Sequence, residues 1–189
     1  MTRNPNKPEP MPYTEAGHLL NPLRKLFFSP RRMVKYLELR PDHTVLELGP
    51  GPGYFSPAVA RAVPDGTLVL VDVQQEMLDM ARERLEQMGI KNVEYRKADA
   101  VSLPAEDGTF DVVFLASVLG EIPDRDACLG EIRRVLKKDG MLSITEVNLG
   151  DPDFIPMPEL LILLEANGFT VRARHKRWFT YTVNCTKSV

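Results

Sequence analysis

From Val45 to Phe55 an apolar run breaks into three glycines at every second position: Val45-Leu46-Glu47-Leu48-Gly49-Pro50-Gly51-Pro52-Gly53-Tyr54-Phe55. A short apolar run that ends in glycines and then turns amphipathic reads as a strand feeding a helix. Each missing Cβ lets bare backbone come close to a ligand. The spacing narrows the choice of ligand. A dinucleotide fingerprint needs G-x-G-x-x-G, and counted from Gly49 its third glycine would fall on Tyr54. That fingerprint is not met.

The rest of the chain alternates between strand and helix signals. Strands are expected at Thr44–Leu48, Thr67–Asp72, Val93–Lys97, Phe110–Ala116, Met141–Val147, Phe169–His175 and Phe179–Thr186. Helices are expected at Tyr54–Val63, Gln75–Met88, Arg125–Leu136 and Pro158–Asn167. Met77, Leu78, Ala81, Leu85 and Met88 recur at helical spacing, and Gly89 follows as a stop. Gly140 is placed to close the turn after Leu136. Leu68 to Val71 and Val112 to Leu115 are unbroken apolar runs, as in strands covered on both faces. The pattern predicts an α/β, Rossmann-like, doubly wound and mostly parallel seven-stranded sheet with helices on both faces. Only about 3 residues separate the last two strands, too few for a crossover, so they should form a C-terminal antiparallel hairpin.

Residues 1–13 read as a mobile tail, with four prolines before Tyr13. Residues 14–189 then make a single domain. Within it, 14–40 read as N-terminal helices covering an active site, interrupted near Ser29-Pro30, where Ser29 could cap a second helix opened by Pro30. The net charge of −2 makes no global case for nucleic acid or an anionic membrane. Cys128 and Cys185 form no disulfide framework, and His18, His43 and His175 are too scattered to suggest a metal. No apolar run approaches the roughly 20 residues of a membrane span, and the N-terminus lacks the apolar core of a signal peptide. A cytoplasmic setting is expected.

In an open parallel sheet, ligands bind past the carboxyl ends of the strands. Acids stand at three of these ends. Glu47 can accept from an ammonium group, and the backbone N–H groups opening the Tyr54 helix can face a carboxylate. Asp72 can take both hydroxyls of a ribose, or cap the Gln75 helix. Asp99 can accept from an adenine amine while the Ala100 N–H donates to a ring nitrogen; otherwise it is a loop acid.

Here the ordered motifs resemble those of class I S-adenosylmethionine (SAM)-dependent methyltransferases over roughly residues 30–187. Glu47-Leu-Gly-Pro-Gly-Pro-Gly53 resembles their first motif, and Val71-Asp72-Val73-Gln-Gln-Glu-Met77 their ribose motif. Ala98-Asp99-Ala100-Val-Ser-Leu-Pro104 is similar to the adenine motif, and Phe110-Asp111-Val-Val-Phe114 to the fourth strand. Glu131 to Gly140 resembles the lead-in to the fifth strand, with Asp139 replacing one of its usual two glycines. The resemblance implies SAM as cofactor, leaving as S-adenosylhomocysteine, held by Glu47, Gly49, Gly51, Gly53, Asp72, Val73, Met77, Asp99 and Ala100. Met77 would lie on the adenine, unless it is simply core.

For the methyl acceptor, the loop Ala116-Ser117-Val118-Leu119-Gly120-Glu121 lacks the marks of the amino-methylating DNA enzymes, the Mg²⁺-dependent catechol type and the paired-glutamate arginine enzymes. Neither cysteine suits the cytosine C5 or arsenic enzymes. What remains resembles the ubiquinone/menaquinone C-methyltransferase group, acting on a small molecule. The acceptor pocket would be roofed by Tyr13, His18, Leu19, Phe27 and Phe28, with the loops Ser117–Asp124 and Asn148–Pro158, Phe154 included. Candidate bases are His18, Glu121 and Glu146, each with a bland reading as a surface, loop or strand-end residue. Arg172, Arg174, His175, Lys176 and Arg177 read as the wet face of an edge hairpin or a grip for an acidic acceptor or RNA, and Trp178 as core or hairpin packing. The competing readings are a SAM-binding protein without catalysis and an NAD-linked oxidoreductase.

Overall fold

The glycine turn ends an inner strand of the sheet. The computed structural model describes residues 10–20, 28–149 and 151–188; the side chains of His18 and Leu19 lie outside it. Strand β1 (Thr44–Leu48) pairs in parallel with β2 (Thr67–Asp72) on one side and β4 (Phe110–Ala116) on the other. β3 (Val93–Lys97) lies outside β2, and β5 (Leu136–Val147) outside β4. β6 (Phe169–Lys176) and β7 (Thr180–Lys187) complete the order β3-β2-β1-β4-β5-β7-β6, with β7 antiparallel to both neighbours. This is the doubly wound, mostly parallel sheet with a C-terminal hairpin that the strand spacing predicts.

Helices α1 (Ala16–Leu19), α2 (Pro30–Tyr36), α3 (Ser56–Ala62), α4 (Gln75–Gln87), α5 (Arg125–Val135) and α6 (Met157–Ala166) accompany the sheet. Successive strand residues point to opposite faces, and this parity divides the core. Val45, Leu68, Leu70, Val112 and Phe114 share one cluster with α2, α3 and α4. Leu46, Val69, Val113, Leu142 and Ile144 share the other with α5 and α6. Asn184 Nδ2 on β7 donates to Tyr36 O at 2.7 Å and ties the end of α2 to the sheet.

Several expectations need correction. The helix expected from Tyr54 starts at Ser56, because Gly53 takes φ +75° and turns the chain inward first. Tyr54 and Phe55 go into the core instead. The Tyr54 hydroxyl donates to Phe28 O at 2.9 Å, and the Phe55 ring meets Phe28 edge-on at 4.6 Å. β5 begins at Leu136, not Met141. Phe110 pairs with Leu136 and Val112 with Met141, so 137–140 form a bulge rather than a turn; Lys137 Nζ bonds both Asp111 oxygens at 2.8 Å.

The described N-terminal helices are short. A 3-10 turn (Tyr13–Glu15) precedes α1, residues 21–27 lie outside the described residues, and the Ser29 side chain caps nothing. Pro30 does open α2. Trp178 does not pack in the hairpin. It stands on the turn between β6 and β7, 94% exposed.

Phe114 is fully buried on the central face. Phe114→Ala should lower stability by about 3–5 kcal/mol, the range for a buried Phe truncation, read from the midpoint of chemical denaturation. A loss below about 1 kcal/mol would contradict the packing of this face.

Candidate functional site

The chain leaves β1 toward β2 and β3, then returns to β4 on the opposite side. At such a reversal the loops diverge and leave a crevice beyond the strand ends. A cavity of about 930 Å³ lies there. Its lining includes Glu47, Gly49, Gly51, Asp72, Asp99 and Glu121. Val73, Met77 and Ala100 also border it.

The glycines do more than one job. Gly49, Gly51 and Gly53 all take positive φ (67°, 53° and 75°). Gly49 and Gly51 face the cavity, but Gly53 does not. A Cβ on Gly53 would lie 3.2 Å from Ala81 Cβ, so this glycine brings the turn against α4. A Cβ on Gly49 would fall 2.6 Å from a Val118 methyl, which seats the β1 turn against the loop after β4. The close approach read as room for a ligand is thus partly an approach of chain to chain. With α3 only seven residues long and starting at Ser56, the dipole expected of a Tyr54 helix is not at the glycines.

Glu47 is 3% exposed, and its Oε2 accepts from Ser56 Oγ at 2.6 Å. Burial pushes its carboxyl up to about 8; the Ser56 bond opposes this, and the nearby Asp72 charge adds to it. Asp72 is also raised by burial, although the N–H groups of Gln74, Gly51 and Val73 bond its carboxylate. Its Oδ1 accepts from Gln74 N at 2.9 Å, so it braces the start of the loop into α4 while facing the cavity. Asp99 is exposed, and its Oδ1 accepts from Val101 N at 3.2 Å. Met77 is 3% exposed and touches both core and cavity wall.

Over the crevice runs a strap of main chain. Met11 N donates to Glu121 Oε2 at 3.2 Å, Gln74 Nε2 donates to Met11 O at 2.9 Å, and Tyr13 N donates to Gln74 Oε1 at 3.2 Å. Residues 1–9 of the expected tail lie outside the described residues. Pro10, Met11, Glu15 and Phe28 form the roof, not Tyr13, which is 46% exposed away from the cavity. Phe27 lies outside the described residues. Phe154 turns into the core against Tyr181, ring to ring at 5.9 Å. The facing loops lock together, since a Cβ on Gly120 would meet Asp153 O at 1.8 Å.

The three candidate bases separate. The side chain of His18 lies outside the described residues. Glu121 lines the cavity. Glu146 is 1% exposed and does not line it. Burial raises its carboxyl to about 8; the charges of Asp151 and Glu121 add to this, while the Ile155 N–H and Arg125 oppose it. Tyr181, opposite Glu146 in the sheet, donates its hydroxyl to Ile155 O. Glu146 therefore holds the loop after β5 from behind. Among the described residues no group of three or more His, Cys, Asp or Glu side chains could hold a metal.

Ser56, Gln74 and Ser117 were not singled out in the sequence. Ser56 was hidden inside a helix expected to begin earlier, and Gln74 acts through a contact 63 positions away. Ser117 takes φ +56°, faces the cavity, and its buried Oγ has no hydrogen-bond partner among the described residues. Strained backbone of this kind concentrates at ligand sites, but nothing in the residue type announces it.

Residues 39–185 match a family model described as a methyltransferase domain. The ubiquinone/menaquinone biosynthesis C-methyltransferase UbiE of Pasteurella multocida is 39% identical over 110 residues, 57% of this chain and 41% of that protein. The chain thus spans under half the length of the curated relatives it matches. A crystal structure of a SAM-dependent methyltransferase from Aquifex aeolicus superposes with TM-score 0.89 at 26% identity, covering 94% of this chain and 100% of that one. The [4+2]-cyclase SpnF superposes with TM-score 0.76 at 22% identity, over 85% and 81% of the two chains, a likeness of fold alone.

Glu146 titrates higher in the folded chain than its ordinary 4.5, so the native state holds a proton that the unfolded chain gives up. Its contribution to stability is complete below 4.5 and is lost as pH rises toward 8. Melting temperatures across that window should fall less in Glu146→Gln than in the parent; parallel curves would refute the assignment. Gly53→Ala forces a left-handed alanine against Ala81, and should cost at least about 1–2 kcal/mol from the backbone alone. Adding Ala81→Gly should recover only the packing part, as measured by denaturation.

Proposed function

The chain belongs to the methyltransferase-domain family, and from that premise we propose that it is an enzyme transferring a methyl group from SAM to a small-molecule acceptor. One observation carries the reading. Acids from the ends of three successive strands, Glu47, Asp72 and Asp99, line one cavity with the glycine turn.

The residues present suit SAM. Glu47 is a buried carboxyl that accepts from the Ser56 hydroxyl, and a buried acid in that state gains from an ammonium group beside it. Gly49 and Gly51 offer bare backbone for the carboxylate at the same end. Asp72 would accept from the ribose hydroxyls. Asp99 and the Ala100 N–H would face the adenine edge, with Met77 and Val73 against its ring. Bound SAM supplies a methyl carbon already activated by a positive sulfur. The protein then has to align the acceptor more than activate it.

The acceptor side is bounded by Phe28, Val118, Ile122 and Leu149. This wall suits an apolar or aromatic molecule. Of the candidate bases whose side chains are described, Glu121 is the one that lines the cavity, and it would receive a proton from an acceptor. The names of the UbiE relatives point to quinone-like acceptors, and the apolar wall agrees with that class. Among the described residues no helix is long and apolar enough to cross a membrane.

Calorimetric titration should show SAM binding and no NAD binding. Asp72→Ala should weaken SAM by about 2–3 kcal/mol, roughly 30- to 150-fold, through lost charge-assisted hydrogen bonds. Wild-type affinity in that variant would sink the ribose assignment. Incubating the protein with methyl-labelled SAM and cell extract should label a small-molecule fraction. Binding of SAM with no labelled product would overturn the enzyme reading.

A further inference from the structure

The C-terminal hairpin carries a charge pattern unlike the rest of the chain. From Phe169 to Ser188 there is no aspartate or glutamate, against Arg172, Arg174, Lys176, Arg177 and Lys187. β6 is the outer strand of the sheet. Arg174 and Lys176 project from one face of it, Arg172 sits at the register shift between Val171 and Ala173, and Arg177 opens the turn. All four are exposed, and among the described residues none is ion-paired with a carboxylate. Like charges on an edge strand do discourage edge pairing. That role does not account for the aromatic residue beyond them.

Trp178 follows Arg177 and is 94% exposed, with Phe179 beside it at 40%. Leaving a large aromatic side chain in water forgoes the burial free energy that its area offers. The position of the turn gives this a direction. Val147 pairs with Thr180, and Asn148 N donates to Phe179 O at 2.8 Å. The hairpin tip therefore stands at the carboxyl end of β5, the end of the sheet where the cavity opens. Leu149, the next residue, lines the cavity and is 52% exposed. Leu149 on the cavity rim, Trp178 and Phe179 at the hairpin tip and the cations of β6 share one end of the molecule.

We propose that the tip of this hairpin docks on an anionic lipid bilayer, with Trp178 seated in the interfacial layer and Arg174, Lys176 and Arg177 over the acidic headgroups. Indole prefers the boundary between headgroup and acyl chain, where its ring is in an apolar setting and its N–H stays hydrated. Each cation near an anionic surface strengthens binding about fivefold. A nucleic acid would use the cations but give Leu149 no partner. The chain's net charge of −2 makes the attachment local, fixed to this end and not spread over the surface. Docked in this way, the rim beside Leu149 faces the bilayer. If the proposed methyl transfer holds, an apolar acceptor dissolved in lipid reaches the cavity directly; the docking itself does not depend on that reaction.

Trp178 is the sole tryptophan of the chain, so its fluorescence reports on the tip alone. The full chain is mixed with vesicles of phosphatidylcholine, with or without an equal part of phosphatidylglycerol, and followed by emission and co-sedimentation. The expected result is a blue shift and sedimentation with the anionic vesicles only, reversed by high salt. Replacing Arg174, Lys176 and Arg177 together with glutamine should weaken binding about a hundredfold. Trp178→Ser should weaken it while leaving SAM affinity unchanged. Unshifted emission and no sedimentation with anionic vesicles would overturn the proposal. So would binding that survives in both variants, or an emission shift produced by single-stranded RNA but not by vesicles.

Discussion

Strand β1 has no free edge. β2 occupies one side and β4 the other, and both of its faces are covered by helices. A chain leaving such a strand must return to the sheet on alternate sides, and the loops that carry it away diverge. The crevice between them is a result of packing, present whatever is bound. The Gly49 turn closes its floor by lying against Val118, with no room for a Cβ. The strand-end acids inherit their common focus from that arrangement, since each is placed by its own strand and all three strands are parallel.

Much of this was legible in the sequence, because strand periodicity and strand ends are local properties. Four strands have the limits that alternation and apolar runs predict, and Asp72 and Asp99 could be located by counting to the end of a strand. Legibility stopped where a residue's role depends on a distant partner. Gly53, counted with the ligand turn, lies outside the cavity lining and carries its left-handed φ close against α4. Glu146 stands at a strand end like Asp72, yet faces away from the cavity, and only the register with Tyr181 reveals it. Trp178 looked like core by composition and lies in water by position.

The two buried glutamates illustrate how the same chemistry serves different ends. Glu47 and Glu146 are both pushed up to about 8, chiefly by burial. Glu146 has the Ile155 N–H and lies behind a loop. Glu47 opens on the cavity, with Ser56 holding one oxygen. Only Glu47 is positioned to exchange its proton for the proximity of a ligand cation, whereas Glu146 accepts the Ile155 N–H behind the cavity wall.

The strap offers a different lesson. Met11 contributes its amide and its carbonyl, and Tyr13 its amide, while the side chains that grip them belong to Gln74 and Glu121 on the body of the domain. A latch of this kind is blind to the identity of the segment it holds. Substitutions along the strap can reshape the surface it presents to the cavity without loosening the fastening, provided they spare Gln74 and Glu121. Diversification of the molecules accepted by such a scaffold would therefore be found first in its N-terminal segment, where change is cheapest.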